Sequence, residues 1–324
     1  MKYLVTGGAG FIGSHIVDRL FELGHEVIVL DDFSLGREEN LVRHQDSRNL
    51  TICRKSICGD LRDLFERELP SVVLHLAALP RVQFSLKNPL LTHQVNVNGT
   101  VNLLEHCRRY GVKRFVFSSS SSVYGMQTKL PLAERMSPKP ISPYALQKWV
   151  GEQYCKLYHT IYGLETISLR YFNIFGPRQN PNGEYAGLIP KFIRLIEANQ
   201  PPTIFGDGEQ ARDFTFVSAA VEANLLAAET ESPACFGGVF NVGAGESVSV
   251  NEVAQKLFRL AGKNPAAIHA PAILEPRHSR ADTSRIQKLF GWKSSVPFDA
   301  GLKQTFEFFT SLKTDKKTAE KVAV

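Results

Sequence analysis

Residues 2–13 read Lys2-Tyr3-Leu4-Val5-Thr6-Gly7-Gly8-Ala9-Gly10-Phe11-Ile12-Gly13, and their order decides the fold. A short apolar run over 2–5 ends in glycines spaced GxxGxxG, and an apolar-periodic stretch follows over 11–23. Strand, tight turn and helix in that order make a cradle for a pyrophosphate. The turn needs backbone freedom at Gly7, Gly10 and Gly13, with no Cβ where the anion approaches. The helix opening at Phe11 and Ile12 then offers free N–H groups and the positive end of its dipole. Glycine spacing alone is weak evidence, but a second buried run over 26–30 ends in Asp31-Asp32, with Asp31 lying 18 positions after Gly13. A carboxylate there accepts hydrogen bonds from the adenosine ribose hydroxyls and repels a 2′-phosphate. Although Arg37 lies nearby, the two acids favour NAD over NADP.

Outward from this unit the chain keeps alternating. Further strand-like runs fall at 50–53, 72–76, 114–118 and 166–170, with helical stretches at 62–69, 91–110 and 143–162. Continuous apolar, β-branched runs separated by helices argue for a parallel sheet covered on both faces, a doubly wound α/β domain. After residue 171 proline and glycine cluster, and shorter elements follow: helices near 188–198, 218–229 and 250–261, and a strand at 239–242. The expectation is a nucleotide-binding domain over 1–172, to which some later segments return. A smaller substrate-binding lobe over 173–312 closes over the sheet's C-terminal edge. The Lys-rich, aperiodic stretch 313–324 reads as a frayed tail.

Composition narrows the classes. A chain of 324 residues, 43% hydrophobic and 22% charged, buries a substantial core and is neither disordered, collagen-like nor a coiled coil. No apolar run approaches the roughly 20 residues of a membrane span. The start turns glycine-rich too early for a signal peptide, so a cytoplasmic protein is expected. The net charge of +6 is modest and scattered, which suits an anionic small-molecule ligand better than nucleic acid. Five cysteines form no CxxC pair and read as reduced thiols, and nine histidines show no HExxH or HxH spacing, so no metal site is expected.

A second constellation follows the fifth strand. Ser118-Ser119-Ser120-Ser121-Ser122 stands at its C-terminal end, and Tyr144-Ala145-Leu146-Gln147-Lys148 comes later on a helix. Tyr144 and Lys148 are i and i+4, hence on one face. A phenol is a poor base at its ordinary pKa near 10. A nearby ammonium and the positive nicotinamide would bring it toward working pH, and the Ser120 hydroxyl can bond the reacting oxygen.

With these residues in place the chain resembles the extended short-chain dehydrogenase/reductases, and among them the UDP-hexose 4-epimerases, over about residues 1–300. The segments TGGAGFIGSH, DDFSLG, GDLRD, HLAALPRV, NVNGT, FSSSSSVYG, SPYALQK, LRYFNIFGPRQ, GDGEQARDF and FNVGAGE carry the likeness. The resemblance implies a homodimer, NAD as cofactor and a UDP-sugar as substrate. It implies NAD contacts from Phe33, Ser34 and Gly36 beside the two aspartates, and from Asp60 and Leu61 flanking the adenine. Leu76, Ala77, Ala78, Ser118, Tyr144, Lys148, Tyr171 and Phe172 complete the groove, while Asn96 braces the backbone there. For the nucleotide-sugar it implies Arg81, Ser120, Tyr144, Asn173, Leu188, Thr203, Phe205, Arg212, Glu275 and Ser279. Phe205 reads equally as core, Arg212 as an ion-pair partner of Asp213, Asn96 as a helix brace, and Ser279 as a surface serine. Helices 91–110 and 143–162 would form the dimer interface, although Leu104 and Trp149 on them read equally as core.

Two positions bear on the reaction. Dehydratases and decarboxylases resembling this chain place an acid just after the catalytic hydroxyl, whereas Ser121 and Ser122 stand here. A cycle of oxidation and reduction at C4, an epimerisation, is therefore expected. A non-catalytic NAD-binding regulator would keep the glycine turn but have no use for Ser120, Tyr144 and Lys148 together. The family's Arg-x-Gly-Asp is Ala272-Ile273-Leu274-Glu275 here, so the arginine that clamps the pyrophosphate is missing. Either Arg212 holds the pyrophosphate alone, or Arg81 or Arg277 supplies the second charge, in place of a contact worth about 1.5–3 kcal/mol. The resemblance also implies that Ser279 stands at the gate beside the sugar's C2 group, where its small size would admit an N-acetyl substituent. The stretch Asn180-Pro181-Asn182-Gly183-Glu184-Tyr185-Ala186 likewise looks like the loop of UDP-N-acetylhexosamine epimerases.

Overall fold

Short apolar runs build the centre of the molecule, in a computed structural model that describes residues 1–182, 186–263, 266–273 and 275–322, with side chains as far as residue 311. The first half of the chain runs β1 (Lys2–Thr6), α1 (Phe11–Glu22), β2 (Glu26–Leu30), β3 (Leu50–Cys53), α2 (Arg62–Glu68) and β4 (Val72–His75). It continues through α3 (Val82–Lys87), α4 (Pro89–His93), α5 (Thr100–Arg109), β5 (Arg114–Ser120), α6 (Pro143–Tyr162) and β6 (Glu165–Tyr171). Then come β7 (Ile174–Phe175), α7 (Leu188–Glu197), β8 (Thr203–Phe205), β9 (Ala211–Arg212), β10 (Thr215–Phe216) and α8 (Val217–Glu229). The chain closes with β11 (Gly238–Val242), β12 (Val248–Ser249), α9 (Val250–Ala261), β13 (Ile268–Ala270), α10 (Ser284–Phe290) and α11 (Phe298–Val322).

Seven of these strands form one sheet in the order β3-β2-β1-β4-β5-β6-β11, every neighbouring pair parallel. The doubly wound fold read from the sequence is thus observed. The chain winds one way from β1 through β2 to β3 and the other way from β4 outward. The crevice beyond the C-terminal ends of β1 and β4 is therefore the switch point where such sheets take ligands. One face is covered by α1 and α8, whose Ile16, Val17, Leu20 and Ala219 pack on Val5, Val29 and Leu74. The other is covered by α2, α5 and α6 through Phe65, Leu103, Leu104 and Cys155. A separate core joins Phe175, Phe192, Ile196, Phe216, Leu257 and Phe298 in the C-terminal lobe.

Three segments differ from the sequence reading. The strand at 239–242, read as part of the lobe, pairs with β6 and extends the main sheet, because its Phe240 and Val242 are buried on the sheet's own core. The expected helix over 91–110 is broken: α4 ends at His93 and a π-helical turn, Gln94–Gly99, precedes α5. Past residue 312 the backbone of α11 continues as helix, where the composition suggested a tail. The lobe's two- and three-residue strands went unread because such short pieces carry no period.

Candidate active site

The two halves meet at a cleft of about 700 Å3 that runs from the glycine turn, past the ends of β4 and β5, into the lobe. Gly7, Gly10, Phe11, Ile12 and Gly13 line one end. A Cβ on Gly13 would lie 2.1 Å from the Gly7 carbonyl oxygen, and one on Gly7, at φ +69°, would lie 2.8 Å from the Ala77 nitrogen. Only glycine lets the turn fold this closely. Gly10 caps α1 without any side-chain bond, leaving the helix start open. The Asp31 carboxylate is buried and accepts from the Ala9 N–H at 3.0 Å and the Phe33 N–H at 2.9 Å. Burial raises its pKa, and the two N–H donors oppose the rise. Asp32 accepts from the Ser34 backbone and hydroxyl. This cradle and acid fit a dinucleotide without a 2′-phosphate.

The middle of the cleft holds the reactive side chains. Ser142 and Pro143 start α6, the Ser142 hydroxyl accepting from the Ala145 N–H at 3.2 Å. From its first and second turns α6 presents Tyr144 and Lys148 to the end of β5. Tyr144 and Ser120 line the cleft together, and the Tyr144 N–H donates to the Ser85 hydroxyl at 3.1 Å. Lys148 Nζ donates to the Ser118 carbonyl at 2.8 Å and sits 4.9 Å from the Phe117 ring centre. Burial brings the Lys148 amine down to about 8. Burial raises the Tyr144 phenol, and the opposing influences are the Ser120 hydroxyl and the Arg81 guanidinium. The protein alone therefore does not bring this phenol toward neutral pH. Tyr171 closes the wall, hydrogen-bonded to the Ser118 hydroxyl at 3.1 Å and accepting from Asn224 Nδ2 at 2.6 Å.

At the far end stand Asn173, Leu188, Thr203, Phe205, Arg212, Glu275 and Ser279. Arg212 pairs with Glu275 at 2.7 Å and not with Asp213, whose buried carboxylate accepts from Ala244, Gly245, Ala281 and Thr215 instead. Ser279 is buried, its hydroxyl 3.4 Å from the Asp213 N–H. Arg277 is turned away, in an exposed pair with Asp207, whereas Arg81 lines the cleft at φ +85°. Residues 183–185 and 274, on which the loop and Ala272–Glu275 readings partly rest, lie outside the described residues.

Besides Arg277, four residues given a role from the sequence stand outside the cleft lining. Asp60 faces solvent and is held by Arg62, Leu61 is in the core, and the Phe33 ring lies under the Arg54 guanidinium. Asn96 sits behind the wall, bonding Leu79 through both its N–H and its carbonyl and reaching Gln147 at 2.9 Å. The remaining positions given a role line it, together with Asn40, Lys55 and His278, which no motif marked, and Gln179 and Gln210, which LRYFNIFGPRQ and GDGEQARDF contain without a role assigned to them. Their types are common on any surface, and only the tertiary fold collects them.

The family model described as "NAD dependent epimerase/dehydratase family" matches residues 3–243. The chain is 40% identical over 312 residues to the UDP-glucose 4-epimerase of Mycolicibacterium smegmatis, covering 95% of this chain and 98% of that protein. Among solved structures it is similar to UDP-glucose 4-epimerase of Thermotoga maritima with UDP-glucose (38% identity, TM-score 0.91, covering 96% and 99%). It is similar in the same degree to UDP-N-acetylglucosamine 4-epimerase of Methanobrevibacter ruminantium M1 in complex with UDP-N-acetylmuramic acid (38% identity, TM-score 0.90, covering 96% and 98%).

Proposed function

Because this chain belongs to the NAD-dependent epimerase/dehydratase family, we propose that it is a UDP-hexose 4-epimerase. We propose that it interconverts UDP-GlcNAc and UDP-GalNAc as well as UDP-Glc and UDP-Gal. The observation that carries this reading is the acid content of the cleft. Among the described residues lining it, the carboxylates are Asp31, Asp32 and Glu275. Asp31 and Asp32 stand at the end of β2 and Glu275 is paired with Arg212, so none stands with Ser120 and Tyr144. Ser121 and Ser122 occupy the positions where chemistry beyond C4 needs an acid, and neither hydroxyl ionises near neutral pH.

NAD, when bound, supplies redox chemistry at the sugar's C4, taking a hydride and returning it. The protein holds it through the glycine turn, the α1 N-terminus and Asp31. Tyr144 takes the proton of the 4-hydroxyl at its phenolic oxygen, and Ser120 keeps that oxygen in place by a hydrogen bond. Lys148 holds a positive charge beside the pair. The 4-keto sugar then turns about its diphosphate linkage, presents its other face and takes the proton back from Tyr144. Arg212, which pairs with Glu275, and Arg81 are the cations we assign to the diphosphate. The Ser279 hydroxyl faces the C2 substituent and leaves room for an acetamido group.

The partner we propose is a second copy of the chain. Leu86, Leu90, Leu91, Leu146, Leu157 and Ile161 are exposed on α3, α4 and α6, which pack side by side. Leu104 is core, and Trp149 packs on the buried Tyr124–Phe172 cluster. A cytoplasmic setting suits the five free cysteines, and among the described residues no helix is long and apolar enough to cross a membrane. The test of function is incubation with UDP-Glc, UDP-GlcNAc and UDP-GlcA, each followed by NMR. C4 epimers of the first two, formed without added cofactor, are expected. Loss of water or of carbon dioxide from any of them would replace this reading by a dehydratase or a decarboxylase.

A further inference from the structure

We propose that Glu152 is a positioning residue for Ser120, Tyr144 and Lys148, tying the helix that carries two of them to the strands beneath. The proposal rests on the reading that these three move the 4-hydroxyl proton. Glu152 is 1% exposed and follows Lys148 by one helical turn on α6. Its Oε1 accepts from the Ser119 hydroxyl at 2.5 Å and from Arg170 Nε at 2.8 Å, and its Oε2 accepts from Arg170 Nη2 at 2.8 Å. Ser119 is the chain neighbour of Ser118 and Ser120, and Arg170 is the neighbour of Tyr171. Alternation along a strand turns Ser119 and Arg170 toward the helix while the residues on either side face the opposite way. One carboxylate thus fixes α6 against β5 and β6 at the level of the reacting groups.

Stability alone does not account for the pair. Two charges taken out of water cost several kcal/mol each, and an apolar pair of the same size often serves a core as well. The electrostatic surroundings supply a reason. Around Lys148 stand His75 on β4, Tyr144, Glu152 and Cys155 on its own helix, and Arg170 on β6 behind Glu152; Arg81 faces Tyr144 from the loop after β4. Burial keeps His75 neutral and pushes the Cys155 thiol far above its ordinary value. Burial also lowers the Lys148 amine, and Cys155 and Glu152 oppose that fall. With the thiol protonated, the standing negative charge is that of Glu152.

The test uses the NAD-loaded protein labelled with 13C at lysine Cε, its Lys148 signal assigned by its loss in Lys148→Met. Glu152→Gln is compared with Glu152→Gln/Arg170→Met, since Arg170 left buried without its counter-charge can unfold the single variant. In whichever variant folds and keeps NAD, the Lys148 midpoint is expected to fall by about half a pH unit or more. The kcat for UDP-hexose is expected to drop about tenfold or more, with KM within about twofold. An unmoved midpoint in a folded variant overturns the proposal, whatever the rate does. If the midpoint moves but wild type epimerises no UDP-hexose, the functional reading fails and the tie between Glu152 and Lys148 stands.

Discussion

Tyr144 and Ser120 line the same cleft, and Lys148 follows Tyr144 by one turn of α6, so the three groups stand together before any ligand arrives. Tyr144→Phe removes one oxygen and little else. It is expected to retain fold and bound NAD while lowering kcat by about 10²–10⁴-fold in the NMR assay, and near-normal turnover would take Tyr144 out of the mechanism. The gate proposed for Ser279 is tested at the same scale. Ser279→Tyr should abolish turnover of UDP-GlcNAc and spare UDP-Glc, and a wild type that ignores UDP-GlcNAc would refute the gate. Much at this scale was legible: Tyr144 and Lys148 share a face by spacing alone, and Asp31 follows its strand. The partners were not. Arg212 binds Glu275 instead of the adjacent Asp213 because Asp213 is turned inward, satisfied by three backbone N–H groups. Likewise the pairing of Glu152 with Arg170, and of Asn224 with Tyr171, joins different elements, with no pattern linking them in the chain.

Elements obey periodicity where one environment spans their length. Helix α6 over Pro143–Tyr162 coincides with its sequence reading, since Ser142 caps it and Pro143 fits its first turn. The turn Gln94–Gly99 is different. Its extra residue per turn carries Asn96 to Leu79 and Gln147, and the Thr100 hydroxyl to the Asn96 carbonyl at 2.8 Å. No apolar period encodes such a bulge, which answers to contacts from other elements. The glycine turn is the opposite case, where sequence and element agree. Gly13→Ala drives a Cβ into the Gly7 carbonyl and should destabilise the protein by about 1–3 kcal/mol with loss of copurified NAD. Thermal denaturation and the absorbance of released cofactor measure both. An alanine variant with wild-type NAD content would mean that the turn is looser than it stands here.

On the scale of the whole molecule, α3, α4 and α6 expose leucines side by side, Leu90 being 86% exposed, and this is the face proposed for a second copy. Leu90→Glu/Leu157→Glu should convert a dimer of about twice 36.1 kDa to monomer in light scattering, while a wild type already monomeric would remove the interface. Local order alone, without a single long-range contact, determined the parallel α/β class, the glycine cradle, the acid that follows β2 and the pairing of Tyr144 with Lys148. These follow from spacing along one strand, one turn or one helix, and such distances are set by covalent geometry. Tertiary structure decided the rest: the return of β11 to the main sheet, the partner of Arg212, the exclusion of Arg277 from the cleft, the solvent-facing Asp60 and the raised phenol of Tyr144. Each depends on which side chains meet across the fold and on how much water is left between them. Burial and partnership belong to the packed chain as a whole and to no segment of it.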